Sequence, residues 1–263
     1  VLYIGGFITV ASGVYVSNLA RWSGLQFSTV NGGTNNTVTA LGVYDDGAGP
    51  ALIAGGSFTR AGDAPASRIA RWRPSSWTSF GSGITDLVRD IEIFDDGRGP
   101  AAFCATNVAV PGGVHHTGVA RWNGSAWSSV GHPANGRFTS VNALTSGPLG
   151  SAPPSLFAAG RFQPAIGAEL NLVAQWTGNL WTPLASAPIG PCSDLIFFDD
   201  GQGGGPALFA AGSFTTADGV PANRIAKWDG KQWLPLGEGM DAPINSLAVF
   251  DDCLLYTSDA ADE

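Results

Sequence analysis

The stretch "VARWNGSAWSSVG", Val119–Gly131, decides the fold, because the chain writes it five times over. Its counterparts are "LARWSGLQFSTVN" from Leu19, "IARWRPSSWTSFG" from Ile69, "VAQWTGNLWTPLA" from Val173 and "IAKWDGKQWLPLG" from Ile225. The first tryptophans, Trp22, Trp72, Trp122, Trp176 and Trp228, follow one another at intervals of 50, 50, 54 and 52 residues. Five positions after each comes a second aromatic: Phe27, Trp77, Trp127, Trp181 and Trp233. All 9 tryptophans therefore occupy equivalent slots. Self-similarity at such a period is the mark of a repeat architecture.

Working outward, about sixteen residues before each first Trp an apolar run ends in two small residues. It reads "LYIGG" at Gly5-Gly6, "LIAGG" at Gly55-Gly56 and "LFAAG" at Gly160 and again at Gly212, with the divergent "AFCAT" at 102–106. A further apolar run precedes each of the later four: "VTALGVY", "VRDIEIF", "TSVNAL" and "DLIFF", and a last one, "INSLAVF", ends at Phe250. Each unit thus offers four short strands bounded by Gly, Pro, Asn and Asp turns.

The hairpin between the third and fourth strands turns on Ser23-Gly24, Asn123-Gly124, Thr177-Gly178 and Asp229-Gly230, with Arg73-Pro74 as the exception. Asn-Gly and Asp-Gly favour two-residue primed turns. That loop predicts Trp122 opposite Ser125, Arg121 opposite Ala126 and Ala120 opposite Trp127, with the two rings as diagonal neighbours about 7–8 Å apart. Ala20, Ala70, Ala120, Ala174 and Ala226 then each lie opposite a second aromatic. The other face carries Leu19, Ile69, Val119, Val173 and Ile225, so both faces are apolar and each sheet must lie between neighbours. Five four-stranded antiparallel units of about 50 residues, each sandwiched on both sides, predict an all-β chain folded as a β-propeller over residues 1–252.

The composition agrees. Gly 37, Pro 17 and 13% charged residues suit many short strands and tight turns. A net charge of −8 argues against a phosphate-tracking nucleic-acid partner, and no apolar run is long enough to span a membrane. The cysteines, Cys104, Cys192 and Cys253, have no metal-type spacing.

The order of apolar strand, small pair, loop and "RWxGxxW" resembles the kelch-type repeat of β-propellers. It is most similar to the Gly- and Asp-rich kelch-like repeats of large bacterial surface and secreted proteins. The resemblance covers residues 1–252 and implies four-stranded blades and an extracellular or cell-surface location; the spacing of five between the aromatics is shorter than in kelch repeats proper. The final segment, Cys253–Glu263, resembles a translated sequencing adapter and is expected to be a non-native tail.

Candidate chemistry is sparse. The pairs Asp45-Asp46, Asp95-Asp96 and Asp199-Asp200, with Asp251-Asp252 at the end, join first to second strands. Carboxylates on a Gly-rich turn suit calcium, but adjacent aspartates supply few ligands and Asp-Gly is ordinary turn chemistry. Arg21, Arg71, Arg121 and Lys227 precede the first Trp, with Gln175 in the fourth unit; each stem is expected to pack while its head meets a carboxylate or ring. Departures from the repeat mark where function enters, and the third unit carries His115 and His116 in its second-to-third loop. The second-to-third loops, 9–17, 59–67, 108–117, 163–171 and 215–223, form the expected binding surface, with Val14, Tyr15, Asp63, His115, His116, Glu169 and Asp218 as candidates. No catalytic constellation, metal set or cofactor motif is legible. The expected function is non-enzymatic scaffolding or binding of a protein or glycan; the alternative is the propeller domain of a larger hydrolase or oxidase with its catalytic residues elsewhere. The first unit starts at its second strand, and Ile244–Phe250 offers the missing first strand of a five-bladed ring; six or seven blades fit the repeat equally well, so the blade count stays open.

Overall fold

A computed structural model of the protein describes residues 1–107, 118–131, 136–164, 170–184, 190–201 and 205–249. Among these residues there are strands and turns but no helix. The first sheet has three strands, Leu2–Gly5, Leu19–Trp22 and Phe27–Thr29. The second runs Val38–Asp45, Pro50–Gly56, Ile69–Arg73 and Ser76–Ser79, and the third Val88–Asp95, Pro100–Thr106, Val119–Trp122 and Trp127–Ser129. The fourth comprises Gly136–Gly147, Ser155–Pro164, Leu170–Trp176 and Trp181–Pro183. The fifth comprises Cys192–Phe198, Ala207–Gly212, Ile225–Trp228 and Trp233–Pro235. Every neighbouring pair is antiparallel and each sheet takes its own strands in chain order, so each is a meander, with a small two-stranded hairpin set into the second-to-third connection of the first, second and fifth.

The sheets stack face to face in sequence order. Four apolar clusters mark the four interfaces, first to second through fourth to fifth. Alternation of side chains along a strand assigns the faces. In the third sheet Cys104, Ala120, Trp122 and Trp127 meet Ile53, Ile69 and Phe80 of the second. Phe103 and Val119, on the reverse face, meet Phe138, Val141, Trp176 and Trp181 of the fourth. Both faces being covered explains why the second strands read as unbroken apolar runs, as in the fully buried Ala51–Gly56.

The aromatic pair makes each interface. Trp122 and Trp127 pack at 5.4 Å between ring centroids, and both contact Phe80, just past the last strand of the preceding sheet, at 4.7 and 5.2 Å. The Trp127 Nε1 donates to the Phe80 carbonyl at 2.9 Å. The same bond joins Trp77 to Val30 at 2.9 Å and Trp181 to Val130 at 3.0 Å. Gly81 follows Phe80 at φ +61°, and a Cβ there would lie 2.3 Å from the Trp122 ring, so both conformation and space require glycine. Gly55 of the diglycine is held by packing alone: its Cβ would lie 2.5 Å from the Val88 side chain of the next sheet.

Two expectations are corrected. The tryptophans are direct cross-strand partners, Trp122 opposite Trp127 and Arg121 opposite Ser128, while Ala120 faces Ser129. Likewise Ala20, Ala70, Ala174 and Ala226 face Thr29, Ser79, Pro183 and Pro235 instead of a ring. The loop has four residues because the side chain before the glycine caps it: Asn123 Oδ1 accepts from the Ser125 and Ala126 N–H groups at 3.0 and 2.8 Å. Ser23, Thr177 and Asp229 act in the same way; only the Pro74-Ser75 turn has two residues. Secondly, Ile244–Val249 forms no strand and does not pair with Leu2–Gly5; it lies along the fifth sheet, where no second strand is offered to it. The ring is not closed by it: among the described residues no fifth cluster joins the first sheet to the last. Residues 250–263, the adapter-like tail included, lie outside those described.

If the aromatic pair holds the sheets together, Trp127→Ala lowers unfolding free energy in denaturant titration by about 3–5 kcal/mol. Trp22→Ala, on the first sheet's outer face, costs less than half as much. Equal losses would show that the pair acts only within its own sheet.

Candidate functional site

The paired aspartates divide their work. The first of each pair closes its own turn: Asp45 Oδ1 accepts from Gly47 and Gly49 N–H at 2.8 and 3.0 Å, and Asp95 Oδ1 from Gly97 and Gly99 at 2.8 and 2.9 Å. The second binds the cation before the first Trp. Asp46 takes Arg71 and Arg73 at 2.5 and 2.6 Å, Asp96 takes Arg121 in a two-point contact at 3.0 and 2.8 Å, and Asp200 takes Lys227 at 2.5 Å. The cation also lies over a ring, Arg121 over Phe103 at 5.7 Å and Lys227 over Phe209 at 5.8 Å. These carboxylates are engaged in turns and ion pairs. Among the described residues, no three His, Cys, Asp or Glu side chains gather as a metal set.

The fourth unit departs from this device in both halves at once. Its turn reads "SGPLGSAPPS", Ser146–Ser155, without the aspartates, and Gln175 stands where the cation should be. At this departure a groove of about 370 Å³ opens between the third and fourth sheets. Its walls are the Phe94–Gly97 turn, the Pro153–Ser155 strand entry and the Gln175–Gly178 hairpin, with the Trp176 edge at the base. The corresponding cleft one sheet further on, where Lys227 is present, holds about 120 Å³. The groove therefore presents an amide and hydroxyls beside proline and aromatic surface, a mixture that suits reversible binding.

The first strands carry a second set of acids. Asp90 Oδ2 accepts from Leu144 N–H of the fourth sheet at 2.7 Å, and Asp194 Oδ2 from Leu247 N–H at 2.6 Å, so each carboxylate crosses an interface. Glu92 meets the Ser146 hydroxyl at 2.5 Å. Burial pushes the Asp90 carboxyl above the ordinary range, with repulsion from Asp194 adding to it; burial does the same for Glu92. Asp46 is shifted downward, first by the Ala48 N–H bond and then by its arginines. The Cys192 thiol, fully buried, is pushed up to about 12, and burial raises Cys104 as well, so both are inert packing groups.

The second-to-third loops have a common build. In the first, second and fifth units they fold into small hairpins, Val10–Ala11 with Val14–Tyr15, Arg60–Ala61 with Ala64–Pro65, and Thr216–Ala217 with Val220–Pro221. The second hairpin reaches the preceding unit: Thr59 and Arg60 N–H groups donate to Asn35 Oδ1 at 2.8 and 2.9 Å, and Gly62 N–H to the Gly33 carbonyl at 2.8 Å. Tyr15 is 79% exposed and Val14 half-buried; Asp63 is exposed and Asp218 half-buried at hairpin turns. These four stand on three separate hairpins, and none lines the groove. His115, His116 and Glu169 lie outside the described residues. Gln175, Thr177 and Ser155 were not anticipated, although the joint loss of aspartates and cation in the fourth unit is visible in the sequence. Compared with known families and with curated proteins, the chain matches no family model and no individual sequence.

Two outcomes follow from the charges. With side-chain exposures of 10% and 6%, the Arg121–Asp96 pair is largely dry, so Asp96→Ala lowers stability by about 3–5 kcal/mol by stranding the guanidinium. The half-wet Asp46 pair gives about 1 kcal/mol on the same substitution in parallel urea titrations. The raised carboxyl of Asp90 has the opposite pH sense to Asp46. Folded protein holds the Asp90 proton more tightly than unfolded chain, so stability falls as pH rises from the unfolded to the folded value. The Asp46 contribution is present above its unfolded value and lost as pH falls through the lowered one. Across about pH 4 to 8, the stability of the wild type relative to Asp90→Asn declines as pH rises; a flat or rising difference would refute the assignment.

Proposed function

We propose that the chain is a non-enzymatic binding domain of a secreted or cell-surface protein, built as a β-propeller in which each sheet is a blade. Its ligand is a glycan or protein segment, seated in the groove between the third and fourth sheets. The observation that carries this reading is the coincidence of that groove with the unit that drops both the aspartates and the cation. Elsewhere the repeat's ionisable side chains hold turns and neighbouring strands, which leaves them unsuited to acid–base chemistry. A repeat fold that keeps its scaffold uniform and varies one interface gains a distinct surface without losing stability. The groove's volume of about 370 Å³ falls within the range of ligand sites, and its alternation of hydroxyl, amide and ring edge fits a saccharide unit better than an apolar peptide.

Immobilised oligosaccharide and peptide arrays probed with labelled protein test the reading. A ligand found in this way loses affinity about tenfold or more on Gln175→Ala or on Ser155→Trp, which fills the groove. A ligand indifferent to both variants, or hydrolysis of the arrayed sugars, would overturn it.

A further inference from the structure

The two walls of the groove between the third and fourth sheets differ in charge. On the third-sheet side stand Asp95 and Asp96. Asp96 is matched by Arg121. Asp95 is exposed, and its Oδ1 is met by the Gly97 and Gly99 N–H groups and by no cation among the described residues. On the fourth-sheet side Gln175 stands where the other units carry a cation, so none of the lining residues is positively charged.

The uncommitted polar groups of the groove are neutral. Thr177 spends its hydroxyl on the Leu180 carbonyl at 2.9 Å. Among the described residues the Gln175 amide and the Ser155 hydroxyl make no side-chain hydrogen bond, so each keeps a donor and an acceptor free. Pro153 and Pro154 have carbonyls but no N–H, so their wall cannot take up an extended peptide as an added strand. At the base, Trp176 is 9% exposed and its Nε1 has no hydrogen-bond partner among the described residues. The far end of its benzo ring lies against Gly131, where a Cβ would come within 2.4 Å, which leaves the pyrrole ring and its N–H to the groove. A buried N–H without an acceptor is costly and gains from any oxygen that reaches it. Trp228 leaves the same N–H unpartnered one sheet further on, but there Lys227 lines a cleft of about 120 Å³. Of the two, the fourth unit's groove is the one with room for a ligand.

On the reading that this groove is the binding site, we propose that its ligand is an uncharged saccharide, with one oxygen accepting from the Trp176 N–H. A sugar hydroxyl both donates and accepts, so a ring of them can meet an amide, a hydroxyl, the proline carbonyls and an indole N–H together. The C–H face of the ring packs on proline and the aromatic edge. An acidic saccharide brings a second negative charge to the Asp95 wall, where no cation offsets it. A peptide segment loses its strand pairing to the two prolines.

The test titrates the whole chain with neutral oligomers of β-glucan, xylan, mannan and chitin, and with oligogalacturonate beside its methyl ester, a pair that differs mainly in charge. A neutral oligomer binds with an affinity that changes less than about twofold between about 0.05 and 0.5 M salt, and the free acid binds at least about tenfold more weakly than its ester. Trp176→Phe, with the thermal transition retained, lowers the affinity for the neutral oligomer about tenfold. Where that variant loses its transition, the Trp176 indole N–H resonance of the wild type decides, shifting when the oligomer binds. An acidic oligomer or a peptide that binds instead, and is weakened by Gln175→Ala and Ser155→Trp, overturns the proposal and leaves the groove as the site. An indole resonance that stays in place, or no binding by any oligomer at about 5 mM, also overturns it. A neutral oligomer indifferent to both groove variants overturns the reading of the groove itself.

Discussion

At three of the four interfaces an indole N–H reaches across to the backbone of the sheet before it; at the fourth, the buried Trp233 Nε1 has no partner among the described residues. Trp77, Trp127 and Trp181 each donate to a carbonyl three residues beyond the preceding unit's second aromatic, while the partner tryptophan covers the residues beside it. A sheet buried on both faces needs directional contacts to register itself against a neighbour, because apolar contact is non-directional. The hydrogen bond supplies the direction. It fixes the distance that Gly55 and Gly81 must respect and the row of small residues, Ala54–Ala70, Cys104–Ala120 and Ala158–Ala174, against which the rings lie.

The ionisable groups follow from that geometry. Between sheets so close, a cation can persist only when desolvation is offset, and the repeat does this by setting an aspartate from the adjoining turn on one side of the cation and a ring beneath it. The two halves stand or fall together: where Gln175 removes the charge, the turn has no aspartate. A lone Arg at that position would be stranded, and a lone Asp would have only its turn to hold. The linked absence is therefore physically consistent, and the space it leaves is the groove between the third and fourth sheets.

Most of the architecture was legible from a few letters. The tryptophan spacing gave unit number and length, the Asp-Gly and Asn-Gly steps gave the turns, and the two-sided hydrophobicity gave the stacking. The third-to-fourth hairpin register was misread, because Asn123 and Asp229 spend their side chains on capping a four-residue loop. A dipeptide rule sees the glycine's positive φ, +97° at both Gly124 and Gly230, but not the neighbour's carboxylate or amide folding back onto the loop. The groove was hidden for a related reason: it is made by residues from three segments, 94–97, 153–155 and 175–178, whose proximity exists only after two sheets have stacked. What the sequence did contain was the irregularity of the fourth unit, legible as a simultaneous loss at two distant positions.

A stack of this kind is close to one-dimensional, its stability a sum over sheets and over the contacts between neighbours. Interior sheets are held on both sides and terminal ones on one, so the outer faces are where apolar surface accumulates. Natural arrays cover such faces with polar caps. Here Trp22 and Phe27 on the first sheet and Phe209, Ile225 and Leu236 on the fifth keep the interior pattern. Ile244–Val249 reduces the exposure of the fifth sheet's face without removing it, since one segment covers part of a face built to receive four strands. The same regularity that makes the interior self-consistent therefore makes these two faces complementary, and whatever covers them must resemble another sheet of this repeat.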